Sequence, residues 1–226
     1  MWSRIWLCVE RSRKVLLAEN ISKRYRNNRR TVLDQVDFKL EEGEFCAVMG
    51  ESGSGKSTLL AVLSGILRPD SGKVLLDDAD LYALSDKDLS YIHQRKIGYV
   101  PQANIFLKQY TILDNIVLPY LSEKKDTESE LYDKAKEHLE KLGIGDLWDR
   151  YPYELSGGEQ KRACLIRALL MQPKIVIADE PTTGLDAKTG EKILTYLDEY
   201  KKFGRTVLVA THDDHVKAYV TRVWNI

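Results

Sequence analysis

The sequence predicts an α/β fold with a mainly parallel core sheet, an antiparallel β subdomain and a helical subdomain. Three stretches carry that expectation. Glu44 to Met49 is a nearly continuous apolar run leading into a glycine-rich loop, as expected of a strand buried on both faces. From Ile175 onward, strand, helix and strand patterns alternate in the βαβ rhythm of a parallel sheet. Between these regions, Ala103 to Glu154 changes to helical patterning.

Taken in order, residues 1 to 14 are the least expected part. Met1, Trp2, Ile5, Trp6 and Val9 fall on one helical face with Arg4, Arg11, Arg13 and Lys14 elsewhere, the pattern of a short interfacial helix. The preferred reading is plainer: an extension ahead of a domain spanning 15–226. Val15 to Ala18, Thr31 to Val36 and Phe38 to Leu40 are β-prone, and Arg24 to Arg30 reads as a hairpin turn between them. A helix is expected from Ser57 to Ser64, ended by Gly65. Lys73 to Leu76 is a strand. Ser85 to Lys96 is a helix with the capping pair Ser85 and Asp88, and Ile97 to Val100 returns to strand before Pro101 and Gln102.

The helical subdomain is expected at about 103–171. Thr111 with Asp114 and Thr127 with Glu130 have capping-box spacing, and Leu131, Ala135, Leu139 and Leu142 keep one apolar stripe. Strand Ile175 to Ala178, helix Thr189 to Lys202 and strand Thr206 to Ala210 complete the domain.

Composition sets outer limits. At 226 residues, 43% hydrophobic and 30% charged, the chain suits one ordered domain with a subdomain. Lys plus Arg equals Asp plus Glu at 34 each, so the charge balance gives no reason to expect nucleic acid as a partner. Cys8, Cys46 and Cys164 are odd in number and widely spaced, which argues against a disulfide framework and fits a reducing cytoplasm. No apolar run approaches the roughly 20 residues of a membrane-spanning helix, so a membrane role requires another chain.

The chemistry lies in three motifs. In Gly50-Glu51-Ser52-Gly53-Ser54-Gly55-Lys56-Ser57 the glycines let the backbone approach phosphate oxygens, and the following helix points its positive end at them. Lys56 would reach the β- and γ-phosphates and Ser57 a Mg²⁺ ion. Alone, this loop leaves ATPase, GTPase and kinase open. A second motif, Ile175 to Glu180, ends a hydrophobic strand in Asp179, placed to hold Mg²⁺ through water, with Glu180 beside it to polarise an attacking water. In the third, Ser156 and Glu159 have capping-box spacing, and Gly157 and Gly158 strip side chains from the first turn of a helix running toward Met171. Bare N–H groups at a positive helix end form an anion site.

Leu155-Ser156-Gly157-Gly158-Glu159-Gln160, lying between the other two motifs, resembles the signature of ATP-binding cassette (ABC) ATPases, and the resemblance covers nearly all of Val15 to Ile226. It implies a P-loop NTPase ABC ATPase fold with a RecA-like core. It further implies that Gly50, Glu51, Ser52, Gly53, Ser54, Gly55, Lys56, Ser57 and Thr58 bind ATP. Tyr25 occupies the place of an adenine-stacking aromatic. Gln102 matches the glutamine loop that senses Mg²⁺ and couples to the membrane partner. His212 matches the switch histidine that contacts γ-phosphate, and Asp186, in Pro181 to Asp186, acts across a dimer. Ser156, Gly157, Gly158 and Gln160 are implied to meet the ATP of a second, head-to-tail subunit.

Ile97 to Gln102 and Thr111 to Pro119 are similar to the macrolide-exporter, lipoprotein-releasing and antimicrobial-peptide group, although Thr183-Gly184 departs from the Gly-Asn usual there. The resemblance therefore implies an ATPase subunit on the inner face of the cell membrane, energising a separate transmembrane permease for export of a peptide, lipid-linked or drug-like substrate. The chain ends soon after His212, so no appended regulatory domain is expected. A mechanical switch of the cell-division type, moving no cargo, is the alternative from another class.

Overall fold

The computed structural model describes residues 14–25, 31–121 and 127–226. The expectations for residues 1–13, and for most of the turn ahead of Thr31, fall on residues outside that set. The strands are β1 (Lys14–Arg24), β2 (Thr31–Glu41), β3 (Phe45–Met49), β4 (Ser71–Leu76), β5 (Ala79–Asp80), β6 (Ile97–Val100), β7 (Ile175–Asp179), β8 (Thr206–Thr211) and β9 (Arg222–Asn225). The helices are α1 (Lys56–Leu63), α2 (Asp86–Arg95), α3 (Ile112–Val117), α4 (Glu128–Lys141), α5 (Gly157–Leu169) and α6 (Ala187–Lys202).

Two sheets divide the strands. A five-stranded sheet runs in the order β6-β7-β8-β3-β9 and is parallel at every junction. Every residue of β3, β7 and β8 is buried, which is why these segments read as apolar runs without alternation. The other sheet is antiparallel, in the order β2-β1-β4-β5. Its first two strands are longer than the sequence pattern indicates. Positive φ at Asn20 (53°) and Gln35 (49°) accompanies register shifts between β1 and β2, so the pairing bulges and continues where propensity would stop it.

Short edge strands β5 and β9 carry no sequence signal of their own. In β9, Arg222 pairs with Glu44 and lies over the Phe38 ring, so tertiary contacts fix the strand. Capping, by contrast, behaves as the spacing predicts. Ser85, Thr111, Thr127 and Ser156 each accept a hydrogen bond from the backbone N–H three residues on, starting α2, α3, α4 and α5. Helix α1 differs, because its first position is set by Gly55 at φ 107° with no side-chain cap. This leaves its N–H groups free for a ligand.

Leu131, Ala135, Leu139 and Leu142 are fully enclosed and join α3 and α5 in one core with the β3, β7 and β8 side chains facing them. The opposite face of the parallel sheet packs on α1 and the antiparallel sheet. Helix α5 lies so close to β6 that a Cβ on Gly98 would sit 2.2 Å from the Ala168 carbonyl oxygen. Backbone cannot yield as a side-chain tip can. We expect Gly98→Ala to destabilise the protein by about 3 kcal/mol, read as a lowered urea midpoint at unchanged slope; an unaltered midpoint would contradict this packing.

Candidate active site

Four parallel strands deliver the functional loops to one edge. At their carboxyl ends β3 enters the glycine loop, β6 leads to Pro101 and Gln102, β7 ends in Asp179 and Glu180, and β8 ends at Thr211 before His212. The register aligns these ends: Met49 lies opposite Thr211, Asp179 opposite Ala210, and Val100 opposite Ala178. A cavity of about 580 Å³ opens there, lined by Val32, Ser52, Gly53, Gly55, Lys56, Ser57, Thr58, Gln102, Glu180 and His212.

Lys56 is buried, and its Nζ donates to the carbonyls of Gly50 (2.8 Å) and Glu51 (2.9 Å), holding the ammonium within the arch of the loop. Tyr25 lies outside the lining, its hydroxyl 3.4 Å from Thr58 Oγ1. The two carboxylates at the end of β7 differ. Burial pushes the Asp179 carboxyl above its usual range, opposed by a hydrogen bond from Ser57, and Glu180 nearby adds to the rise. Asp179 Oδ1 is buried without a hydrogen-bond partner.

Glu180 is also enclosed, yet its carboxyl is held below the usual range. Burial acts against ionisation, but hydrogen bonds from Thr183 and His212, the charge of His212 and a bond from Thr211 outweigh it. The Thr183 and Thr211 hydroxyls donate to Oε2 at 2.6 and 3.3 Å, and His212 Nδ1 lies 3.0 Å from Oε1. The Glu180 backbone has φ 48°, a conformation costly for a glutamate, and its N–H is fixed to the Ala210 carbonyl at 2.8 Å. Glu180 is therefore a strained, fully satisfied carboxylate at the cavity wall, with the largely exposed His212 beyond it.

Other singled-out residues lie elsewhere. Ser156 caps α5 in a reciprocal box with Glu159, leaving Gly157 with no atom within 4 Å of a built Cβ. None of Ser156, Gly157, Gly158 and Gln160 lines the cavity. The Gln160 amide is spent on the carbonyls of Pro152 (2.8 Å) and Leu155 (3.2 Å), bracing the turn that enters the helix. Asp186 caps α6 by accepting from the Thr189 N–H at 3.0 Å. The sequence reading gave no role to Val32, which lines the cavity, to Thr183 and Thr211, which bond Glu180, or to Lys161, which bonds the Gln102 carbonyl. Thr183, where the motif departs from the branch pattern, sits three residues past Glu180, a spacing that was the available signal.

A parallel sheet whose carboxyl edge presents a glycine loop, a capless helix start and paired carboxylates defines a nucleotide-binding α/β protein of the P-loop NTPase class. A family profile described as ABC transporter matches residues 33–183. The lipoprotein-releasing system ATP-binding protein LolD of Shewanella frigidimarina is 38% identical over 211 residues, covering 92% of this chain and 88% of that protein. An uncharacterised ABC transporter ATP-binding protein of Bacillus subtilis, YvrO, is 39% identical over 204 residues, with 89% of each covered. The dimeric structure of MJ0796, a bacterial ABC transporter cassette, superposes with TM-score 0.88 at 34% identity, covering 93% of this chain and 94% of that one. The same cassette is known in a post-hydrolysis state bound to ADP and Pi. The chain belongs to the ABC transporter family, as an ATP-binding and ATP-hydrolysing subunit. Among the described residues, no helix is long and apolar enough to cross a membrane.

The Asp179 environment makes a measurable demand. Its folded-state pKa is raised from 3.8, so the folded protein holds this proton more tightly than the unfolded chain. Ionisation therefore costs stability: the penalty is absent below the unfolded value and grows as pH rises through the folded pKa. With EDTA present and nucleotide absent, Asp179→Asn should raise stability by about 1 kcal/mol at pH 7. The gain should shrink as pH falls toward 4. Equal stability of both proteins at pH 7 would count against a charge penalty at this position.

Proposed function

We propose that this chain powers a separate transmembrane permease from the cytoplasmic face, closing on ATP as a head-to-tail pair in which each ATP lies between the glycine loop of one protomer and the Ser156 to Gln160 segment of the other. One observation carries this reading. Lys56, Ser57, Gln102, Glu180 and His212 converge on the cavity, whereas the capped, glycine-bared start of α5 stays outside it and uncovered. An anion site so formed serves a phosphate brought by another chain.

Within one protomer, Gly50 to Thr58 would cradle the phosphates, with Lys56 neutralising the β- and γ-groups. Tyr25 would face the base. Ser57, Asp179 and Gln102 would hold Mg²⁺. The orphaned Asp179 Oδ1 beside the Ser57 hydroxyl is a hard oxygen donor set of the kind this ion takes while keeping water and phosphate ligands. When bound, the ion offsets phosphate charge. Glu180 would polarise the attacking water, and its depressed pKa keeps it ionised at neutral pH. His212, on Glu180 and mostly exposed, would reach the γ-phosphate, and Asp186 would act across the dimer.

For cargo, we place the chain with export of a lipid-linked, peptide or drug-like substrate, which the lipoprotein-releasing relative supports. Its permease would dock on the apolar surface after Gln102, where Ile105, Leu107 and Tyr110 are exposed. Co-purification from membranes with a permease carrying a large extracytoplasmic domain tests the partner, and recovery of a wall-hydrolase regulator instead would overturn the export reading.

Two variants test the site. Glu180→Gln keeps the side chain's shape but removes the base, so turnover should fall at least 100-fold while an ATP-bound dimer accumulates on gel filtration. Near-normal turnover would remove Glu180 from this role. Gly157→Asp places bulk and charge on a surface with no intramolecular clash, so the monomer should fold and bind ATP while dimer-dependent hydrolysis falls at least tenfold. Full hydrolysis by this variant would rule out the sandwich.

A further inference from the structure

Lys161 is a buried cation that none of the roles above employs. It lies five residues past the Ser156 cap, is 4% exposed, and its Nζ donates to the carbonyl of Gln102 at 2.9 Å and, at a longer 3.4 Å, to that of Pro101. Burial pushes its ammonium below the usual range, opposed by the Cys164, Asp179 and Glu180 side chains. The last two place Lys161 within electrostatic reach of both carboxylates at the end of β7.

Lys161 is the innermost of a series of ties between one loop and one helix. Asn104 Nδ2 donates to the Gly157 carbonyl at 3.2 Å, and Arg167 Nη1 donates to the Ile105 carbonyl at 2.8 Å while its guanidinium lies over the Phe106 ring at 5.0 Å. The loop from Pro101 to Phe106 is thus bound along α5 over a span of about 15 Å, the rise of ten helical residues. Its far end is bound to α3, where the Asn115 amide nitrogen donates to the carbonyls of Leu107, Tyr110 and Thr111 at 2.9–3.1 Å and its oxygen accepts from the Leu107 N–H at 2.7 Å. On the sheet side the loop is held by the covalent continuation from β6 and the β6–β7 ladder ending at Val100 and Ala178.

We propose that Lys161 is a positioning residue: by tying the Gln102 backbone to the second turn of the signature helix, it makes Gln102 move with α5 and sets that side chain's place relative to Asp179 and Glu180. The helix start offered to a second protomer and the glutamine offered to this protomer's own cavity are thereby one mechanical body. Displacement of α5 on closure is passed to Gln102 without any motion of the sheet. A methionine at this position fills the same space without a donor, whereas a glutamine supplies a neutral donor one bond closer to the backbone. This inference rests on the reading of Gln102 given above.

The test is a double-mutant cycle on the full chain, measuring MgATP hydrolysis as kcat and KM separately. Lys161→Met should lower kcat about tenfold with KM within twofold of wild type, and Lys161→Gln should restore kcat to within threefold. In a Gln102→Ala background, Lys161→Met should add less than a twofold further loss, because its effect passes through Gln102. Asn104→Ala, a milder break in the same set of ties, keeps the test decisive should the methionine variant not fold. It should lower kcat two- to fivefold at unchanged KM and lose that effect in the Gln102→Ala background. Losses that multiply in the double variants, a defect confined to KM, or wild-type kcat in these variants would overturn the inference while leaving the Gln102 reading intact. Wild-type kcat in Gln102→Ala alone would overturn both.

Discussion

Parallel registration of β6, β7, β8 and β3 is the constraint on which the rest of the molecule depends. The four strands contribute Gln102, Asp179 and Glu180, His212, and the glycine loop from segments spread between residues 50 and 212, and only their common direction brings those segments to one edge. Because each strand is buried on both faces or nearly so, a register slip would drive polar loop residues into the sheet and pull apolar side chains out. The ladder is thus enforced by burial along its whole length. The site inherits its precision from that enforcement: Asp179 opposite Ala210 is a pairing fact before it is a chemical one.

At the carboxyl edge, burial and hydrogen bonding divide two adjacent carboxylates into different chemical agents. Asp179 is buried with an oxygen unmatched, so its ionised form is penalised until something positive arrives. Glu180 is enclosed too, but Thr183, His212 and Thr211 surround it with donors and keep it ionised. The left-handed backbone at Glu180 turns the chain out of β7 sharply enough that consecutive side chains meet different surroundings. One residue of separation, with one strained dihedral, is enough to leave one carboxylate with an unpartnered oxygen and to ring the other with donors.

Much of this was legible in the sequence because the governing interactions are local. Capping boxes at Thr127 and Ser156 span four residues, the α4 stripe follows helical period, and the buried strands announce themselves by lack of alternation. Strand β9 was not legible, since Arg-Val-Trp-Asn is held by Glu44 and by β3, both about 178 residues away in the chain. The ends of β1 and β2 were underestimated for a related reason: bulges at Asn20 and Gln35 preserve pairing that propensity alone would break. Within the site, motif residues were recognisable by type and spacing. Their supporting residues were not, because Thr211 and Lys161 acquire meaning only from what the fold places beside them.

The start of α5 shows why a complete set of motifs in one chain still yields an incomplete pocket. Its cap satisfies Ser156 and Glu159 with each other, holding the Glu159 carboxyl ionised below its usual range through bonds from the Ser156 hydroxyl and N–H. That spends the Glu159 N–H on the cap and leaves the glycines ahead of it without side chains, Gly158 close to Leu185 of the same chain and Gly157 open. A flexible loop could fold back to meet a phosphate in its own cavity. A capped helix anchored by buried Ala163, Cys164 and Ile166 cannot do so without breaking its core. Rigidity at this position therefore works against an intramolecular solution, and the ties from Lys161, Asn104 and Arg167 bind the loop after β6 to the same rigid helix.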